Sequence, residues 1–352
     1  MHKLLNHEDK KYFVLKKGKL IMRKSYIKIY QRNEKVIPIF YASDENYLPY
    51  LSISLDSVKA NRNKKYKYNI HILHTGIHDS KKEVILNMQE ENFNIFFVDV
   101  NEKLKEVNND LQIRDYYTGA TYYRIFIANL FEEYQKAIYL DSDTIILGDI
   151  SKLYDVNLNN NLVGAVTDMV VSAHPIFQDY CIKGLGILPN NYFNAGVLLM
   201  NLRQFRKECF YEKFISLLKE YKFVVAQDQD YLNVLCKDKV KYLPLSWNTM
   251  PIGGENKIKP NLIHYNLTLK PWHYNEIPYS KYFFEYAAKS FYYQDVLNEL
   301  HNYSDAKKQK DQQMEKHLID LAIREINRED NYIKTREDNS CLSLDSFVRR
   351  KV

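Results

Sequence analysis

The sequence predicts an α/β protein with a mostly parallel central sheet covered by helices on both faces. Two observations carry this. Short apolar, β-branched runs alternate with segments of helical periodicity through the first half of the chain. Acidic and polar residues recur where those runs stop, and ligands sit at the carboxyl ends of strands in open α/β sheets.

The elements follow in order. Val36-Ile37-Pro38-Ile39-Phe40-Tyr41-Ala42 reads as a first strand, and 43–46 as a turn. Leu48, Leu51, Leu55 and Val58 recur at helical spacing, which predicts a helix over 47–60. Tyr68 to His74 and Ile95 to Val100 read as strands around a helix at 79–91. Tyr122 to Leu130 reads as a helix and 137–140 as the next strand. Beyond 150 the alternation loosens. Leu162 to Val166 and Ala195 to Met200 read as strands, 174–190 as a loop, and 227–236 as a helix. Three regions are expected: a basic extension at 1–35, a catalytic domain at 36–275, and a helical extension at 276–352. In the last, Ile319, Ala322, Ile323 and Ile326 form a stripe, read as a packing face or else a membrane or partner contact.

Charge is unevenly placed. Residues 1–35 hold 11 Lys/Arg and 3 Asp/Glu, against 39 and 41 in the rest, so the net +6 belongs to the first segment. Two readings of that segment stay open: a solvated extension, or a basic strip touching anionic lipid. A nucleic-acid partner is not expected, because the body carries no basic face. No membrane span or secretion signal is legible, and Cys181, Cys209, Cys236 and Cys341 form no metal or disulfide framework. A cytoplasmic setting follows, with peripheral contact to the inner membrane face as the variant reading. Ala42-Ser43-Asp44-Glu45-Asn46 after the first strand contains no glycine, which argues against a Rossmann dehydrogenase or a P-loop NTPase.

Four constellations carry chemistry. Ala137-Ile138-Tyr139-Leu140 runs straight into Asp141-Ser142-Asp143. In a strand, residues two apart share a face, so both carboxylates aim one way and Ser142 the other. Paired carboxylates repel unless a cation neutralises them, which points to a divalent metal with Ser142 dispensable for holding it; the other reading is a polar turn with Asp141 as a cap and Asp143 solvated. His264 is a candidate third ligand, and it favours Mn²⁺ over Mg²⁺, which remains a substitute. Lys270, six residues on, suits a phosphate. Gln227-Asp228-Gln229-Asp230 suits sugar hydroxyls or, equally, a helix cap. Asn194-Ala195-Gly196 suggests a close backbone approach with Asn194 facing a ligand.

The set PIFYASDENYLPYL, TYYRIF, AIYLDSDTIILGDI, YFNAGVLLMNL, QDQDYLNVL and HYNLTLKPWH resembles glycosyltransferase family 8, from about Val36 to about His273. The resemblance implies a GT-A fold and a retaining transfer of glucose or galactose from a UDP-sugar to a cell-surface glycan, with Mn²⁺. It implies metal ligation by Asp141, Asp143 and His264. It implies donor contacts from Ala42, Ser43, Asp44, Asn46, Arg124, Ser142, Asn194 and Lys270. Asp228 and Gln229 would face the donor sugar, and Asp168 the acceptor. Where the family often has glycine, three residues after the metal histidine, this chain has Leu267. A non-catalytic UDP-sugar or glycan binder and a self-glucosylating, glycogenin-like initiator are the alternatives.

Overall fold

The computed structural model describes residues 35–105, 119–254 and 258–336. The basic segment 1–34, with its lipid-contact reading, lies outside the described residues. The strands are β1 (Val36–Ala42), β2 (Lys67–His74), β3 (Phe93–Asp99), β4 (Ala137–Leu140), β5 (Thr144–Ile146), β6 (Val163–Thr167), β7 (Phe193–Met200), β8 (Val240–Tyr242) and β9 (Leu262–His264). Seven of them form one sheet in the order β3-β2-β1-β4-β7-β6-β8. The pairs β1–β2, β2–β3, β1–β4 and β6–β8 are parallel, while β7 runs antiparallel to both β4 and β6. The expected mostly parallel sheet is present, with β7 reversing direction at its centre.

The apolar runs become strands because both sheet faces are covered. Every residue of β4 and of β7 is buried. One core cluster joins β4 and β7 to the helices Tyr123–Leu130 and Phe210–Glu220. A second joins β1, β2 and the helix Leu48–Asn61, and a third joins β5 and β9 to Trp272 and Phe283. That second helix carries three buried serines, and each is satisfied. Ser54 Oγ lies 3.1 Å from both Tyr41 Oη and Thr144 Oγ1, and Ser57 Oγ accepts the Ile146 amide at 2.9 Å. Buried hydroxyls need such partners, and these pin β5 against the helix.

Two local expectations change. The helix expected over 79–91 stops at Leu86, and Glu90 bridges back to Phe93 to start β3. The loop expected over 174–190 contains the helix Pro175–Tyr180 and a π-turn at Cys181–Leu185, closed by Gly186 in the left-handed region at φ 66°. Elements this short have no periodicity to read.

The helical extension is Ser280–Ala287, Tyr293–His301 and Asp305–Asn327. On the last helix, Asp311, Leu318, Ala322 and Glu325 recur on one helical side, where Asp311, Ala322 and Glu325 are buried, and Glu315 lies at the exposed margin of that side. Of the expected stripe, Ala322 is fully buried and Ile319 and Ile326 pack beside it, but Ile323 is 38% exposed. The stripe is a packing face turned slightly from the expected axis, because half of the true face is polar. Asp311 is buried and its Oδ2 accepts the hydroxyls of Tyr274 and Tyr303, both at 2.7 Å. Among the described residues, no helix is long and apolar enough to cross a membrane.

Asp311→Ala strands both tyrosine hydroxyls. We expect it to lower stability by about 1–3 kcal/mol in a urea titration, with Asp311→Asn costing less. An unchanged midpoint for the alanine variant would refute this account of how the extension is held.

Candidate active site

The parallel strands β1 and β4 end side by side, and the chain beyond each bends into a common cavity of about 410 Å³. Ala42, Ser43 and Asp44 line it from β1, and Asp141, Ser142 and Asp143 from β4. Residues 141–143 form a turn between β4 and β5 rather than a strand. The Asp141 amide donates to the Gly196 carbonyl at 2.8 Å, and the Asp143 carbonyl accepts the Tyr265 amide at 3.0 Å. The two carboxylates therefore converge through a pinned turn, not through strand alternation. Ser142 is not turned away: it lines the cavity, and its hydroxyl donates to the Ala42 carbonyl at 3.0 Å.

Pairing of β5 with β9 puts Thr144 opposite His264, which delivers the imidazole beside Asp143. His264 Nε2 lies 3.2 Å from Asp143 Oδ1 and 3.7 Å from Asp141 Oδ2. The three ligand atoms fit within 4.8 Å of one another. Gly196 makes room for them. A Cβ there would come within 2.2 Å of His264 Cε1 and 2.6 Å of Asp141 Oδ2.

An amide relay orients the imidazole. Asn248 Nδ2 donates to Asn194 Oδ1 at 2.9 Å, so Asn248 Oδ1 is the atom 3.1 Å from His264 Nδ1. His264 Nδ1 therefore carries a proton toward Asn248, and Nε2 is the ring nitrogen that faces the two carboxylates. Two carboxylates and an imidazole nitrogen converging on one point make the donor set of a divalent cation site, and the residues fit one.

The relay continues away from the metal ligands. Asn194 Nδ2 and Gln229 Nε2 both donate to Asp168 Oδ2, at 3.0 and 3.1 Å, and Gln229 Oε1 accepts the Ala195 amide at 2.9 Å. Asp168 Oδ1 caps the helix Met169–Ala173 through the Val170 and Val171 amides. Asp168 thus holds both amides in place. Asp228, the other candidate cap, caps nothing. Its helix is preceded by Gln227 with φ 48°, and its carboxylate turns to the Arg124 guanidinium at 3.1 Å. Burial pushes the Asp228 carboxyl up from 3.8 to about 7, against the pull of Arg124.

Arg124 is buried and also meets Asp141 Oδ1 at 3.2 Å, the carbonyls of Thr121 and Ala195, and the Tyr139 ring. Lys270 is buried against Asp143 and donates to the Tyr265 carbonyl at 2.5 Å. Burial alone would raise the Asp143 carboxyl, but Lys270 and His264 hold it below the usual carboxylate range. Leu267, at the edge of the cavity, has φ 51°. A leucine there is strained, which is the backbone reason for a glycine at such a position.

Of the site residues that the family resemblance implies, the structure brings all but one to this cavity. Asn46 is exposed and does not line it, and its amide donates to Asp44 Oδ1 at 2.9 Å. Sequence reasoning missed Tyr139, whose hydroxyl donates to Asp141 Oδ1 at 2.8 Å. It also did not pair Asn248 with the imidazole. Asp230, read with Asp228 as suiting sugar hydroxyls or a helix cap, does not line the cavity and is buried under the hydroxyls of Tyr180 and Tyr192 at 3.0 and 2.7 Å.

Comparison with known proteins agrees with this geometry. A putative glycosyltransferase of Haemophilus influenzae is 32% identical over 238 residues, 67% of this chain and 70% of that protein. The lipopolysaccharide 1,2-glucosyltransferase of Escherichia coli K12 is 30% identical over 259 residues, 67% of this chain and 72% of that protein. The solved galactosyltransferase LgtC, in complex with donor and acceptor sugar analogues, superposes with a TM-score of 0.63 at 27% identity, covering 72% of this chain and 96% of that one. The apo bifunctional glycosyltransferase WbbM gives a TM-score of 0.68 at 26% identity, over 77% of this chain and 53% of that one. The fold is that of the GT-A glycosyltransferases. The family model for glycosyl transferase family 8 matches residues 38–276, and the chain belongs to that family.

Proposed function

We propose that the protein is a Mn²⁺-dependent, retaining hexosyltransferase that moves glucose or galactose from a UDP-sugar to a cell-surface glycan. One observation carries the reading. Asp141, Asp143 and His264 converge in the same cavity as a buried lysine and two fixed amides, Asn194 and Gln229. A bound Mn²⁺ supplies positive charge against which the diphosphate of the donor leaves.

The chain's own residues do the rest. Ala42, Ser43 and Asp44 take the uridine at the ends of β1. Lys270 turns from Asp143 toward the diphosphate and stabilises charge as it develops there. Asn194 and Gln229, each held through Asp168, present polar atoms to the donor sugar. Asp228 is the anion beside the sugar as it becomes oxocarbenium-like. Gln229 is a poor nucleophile on two counts: it is an amide, and its oxygen already accepts the Ala195 amide. Same-face attack follows. The acceptor oxygen bonds to the anomeric carbon as the bond to UDP breaks, and the acceptor's proton passes to the departing phosphate oxygen. The three-region division, with the catalytic domain at 36–275, belongs to the same reading. The complete ligand set disfavours a non-catalytic binder.

The first test is release of UDP from UDP-glucose and UDP-galactose, with and without Mn²⁺. Asp143→Ala should keep the fold and lose at least about 10²-fold in turnover. Near-normal turnover at saturating Mn²⁺ would sink the metal assignment.

Gly196→Ala should displace the imidazole and weaken Mn²⁺ binding by about 10-fold or more in a calorimetric titration with UDP present. Ser142→Ala, which leaves both carboxylates in place, should not move that titration. Equal affinities for the parent and Gly196→Ala would show that the close approach does not matter.

The role given to Asp228 has a signature in the metal-free protein. Its carboxyl is raised from 3.8 to about 7, so the folded state binds that proton more tightly than the unfolded chain. The stabilisation is fully present below the lower value and is lost as pH rises to about 7. Asp228→Asn should therefore reduce the fall in unfolding free energy between about pH 5 and about pH 8, measured by urea titration in chelator. Asp230, raised by burial to about 6, keeps its own smaller fall in that variant. An undiminished fall would mean that Asp228 is not held as a buried acid.

A further inference from the structure

The family match stops at residue 276, but the cavity does not. Leu318, on the helix Asp305–Asn327, is part of its wall. That helix is tied to two separate parts of the chain. Glu315 accepts the hydroxyl of Thr268, in the loop that carries Lys270. Glu325 accepts the Tyr221 hydroxyl at 2.7 Å. The helix also packs against Pro175–Tyr180, whose Phe177 and Tyr180 face the same space.

The polar half of the cavity belongs to the residues already described. Among the other lining residues, Val170, Val171, Phe177, Val225 and Leu318 supply apolar surface. This strip begins one turn beyond Asp168, at the far end of the amide relay from His264. The donor's polar atoms are matched at the metal end, so the strip is left for the second substrate. A pyranose ring has one face of C–H groups and a rim of hydroxyls, and it fits a site with an apolar wall and a few fixed polar atoms.

We propose that the helix Asp305–Asn327 is the acceptor-side wall of the active site, with Leu318 and Phe177 packing against the C–H face of a pyranoside acceptor. The inference rests on the hexosyltransferase reading. It makes an element outside the family-matched segment a determinant of acceptor specificity.

The test begins with Mn²⁺-dependent hydrolysis of UDP-glucose and UDP-galactose by the full chain. If neither is hydrolysed, the hexosyltransferase reading fails before the wall is tested. Methyl and p-nitrophenyl glucosides and galactosides are then titrated, each scored by its KM as acceptor or its Ki against hydrolysis. Leu318→Trp, which fills the space beside Phe177, should raise the constant for methyl glycosides about 10-fold or more, with a smaller change in donor KM. Leu318→Met, similar in volume, should restore it. Gln312→Trp, on the outward face of the same helix, adds the same bulk and should leave both constants as in the parent. A folded Leu318→Trp, judged by its thermal melt, with parental constants for methyl glycosides would overturn the proposal. So would a parent whose hydrolysis no methyl glycoside affects. A shift confined to the p-nitrophenyl compounds would assign the strip to an aglycone and overturn the ring assignment.

Discussion

The site depends on one buried guanidinium. Arg124 is 3% exposed, and removing its charge from water is costly unless every donor is matched. It is matched by Asp141, Asp228, the carbonyls of Thr121 and Ala195, and the face of Tyr139. The consequence for Asp141 is directional. Its Oδ1 is taken by Arg124 and by the Tyr139 hydroxyl, so Oδ2 is the oxygen left facing His264. The same cation allows Asp228 to sit in a buried position beside other acids. Arg124 therefore sets the orientation of Asp141 and the environment of Asp228 together.

A second constraint links the metal end to the sugar end. Asn248, Asn194, Asp168 and Gln229 form one hydrogen-bonded line from the imidazole to the far side of the cavity. Each amide donates in one direction and accepts in the other, so reversing one would misalign the rest. Such a line fixes atoms that packing alone would leave free to rotate. It crosses β7, the strand that reverses the sheet, and Gly196 there leaves the space that His264 Cε1 approaches.

The sheet was legible because β1 and β4 read as unbroken, buried apolar runs and Ile70, Ile72 and Leu73 mark β2 between its polar residues. Asp141 and Asp143 were legible as a pair, although for another reason than their geometry. They sit in a turn whose ends are tied to Gly196 and Tyr265, partners that no local pattern reveals. Asn248 was legible as polar but not as the partner of His264, since that role exists only once β9 is paired. The inward face of the last helix was misread by a fraction of a turn. Apolar periodicity sees Ile323 and is blind to Asp311 and Glu325, which are buried because tyrosine hydroxyls reach them. Leu267 could be placed from the sequence, but its left-handed backbone could not.

The helix that closes the cavity comes after every other site residue in chain order. Strands β1 to β4 can pair while that helix is still unmade, since chains fold largely from the N-terminal side during synthesis. Leu318 and Glu315 then arrive last, and Thr268 and Phe177 wait for their neighbours until they do. A nascent chain that has passed His264 and Lys270 thus carries most of the cavity's lining while Leu318 is still missing. The wall of the cavity is complete only when the helical extension has been made and has docked.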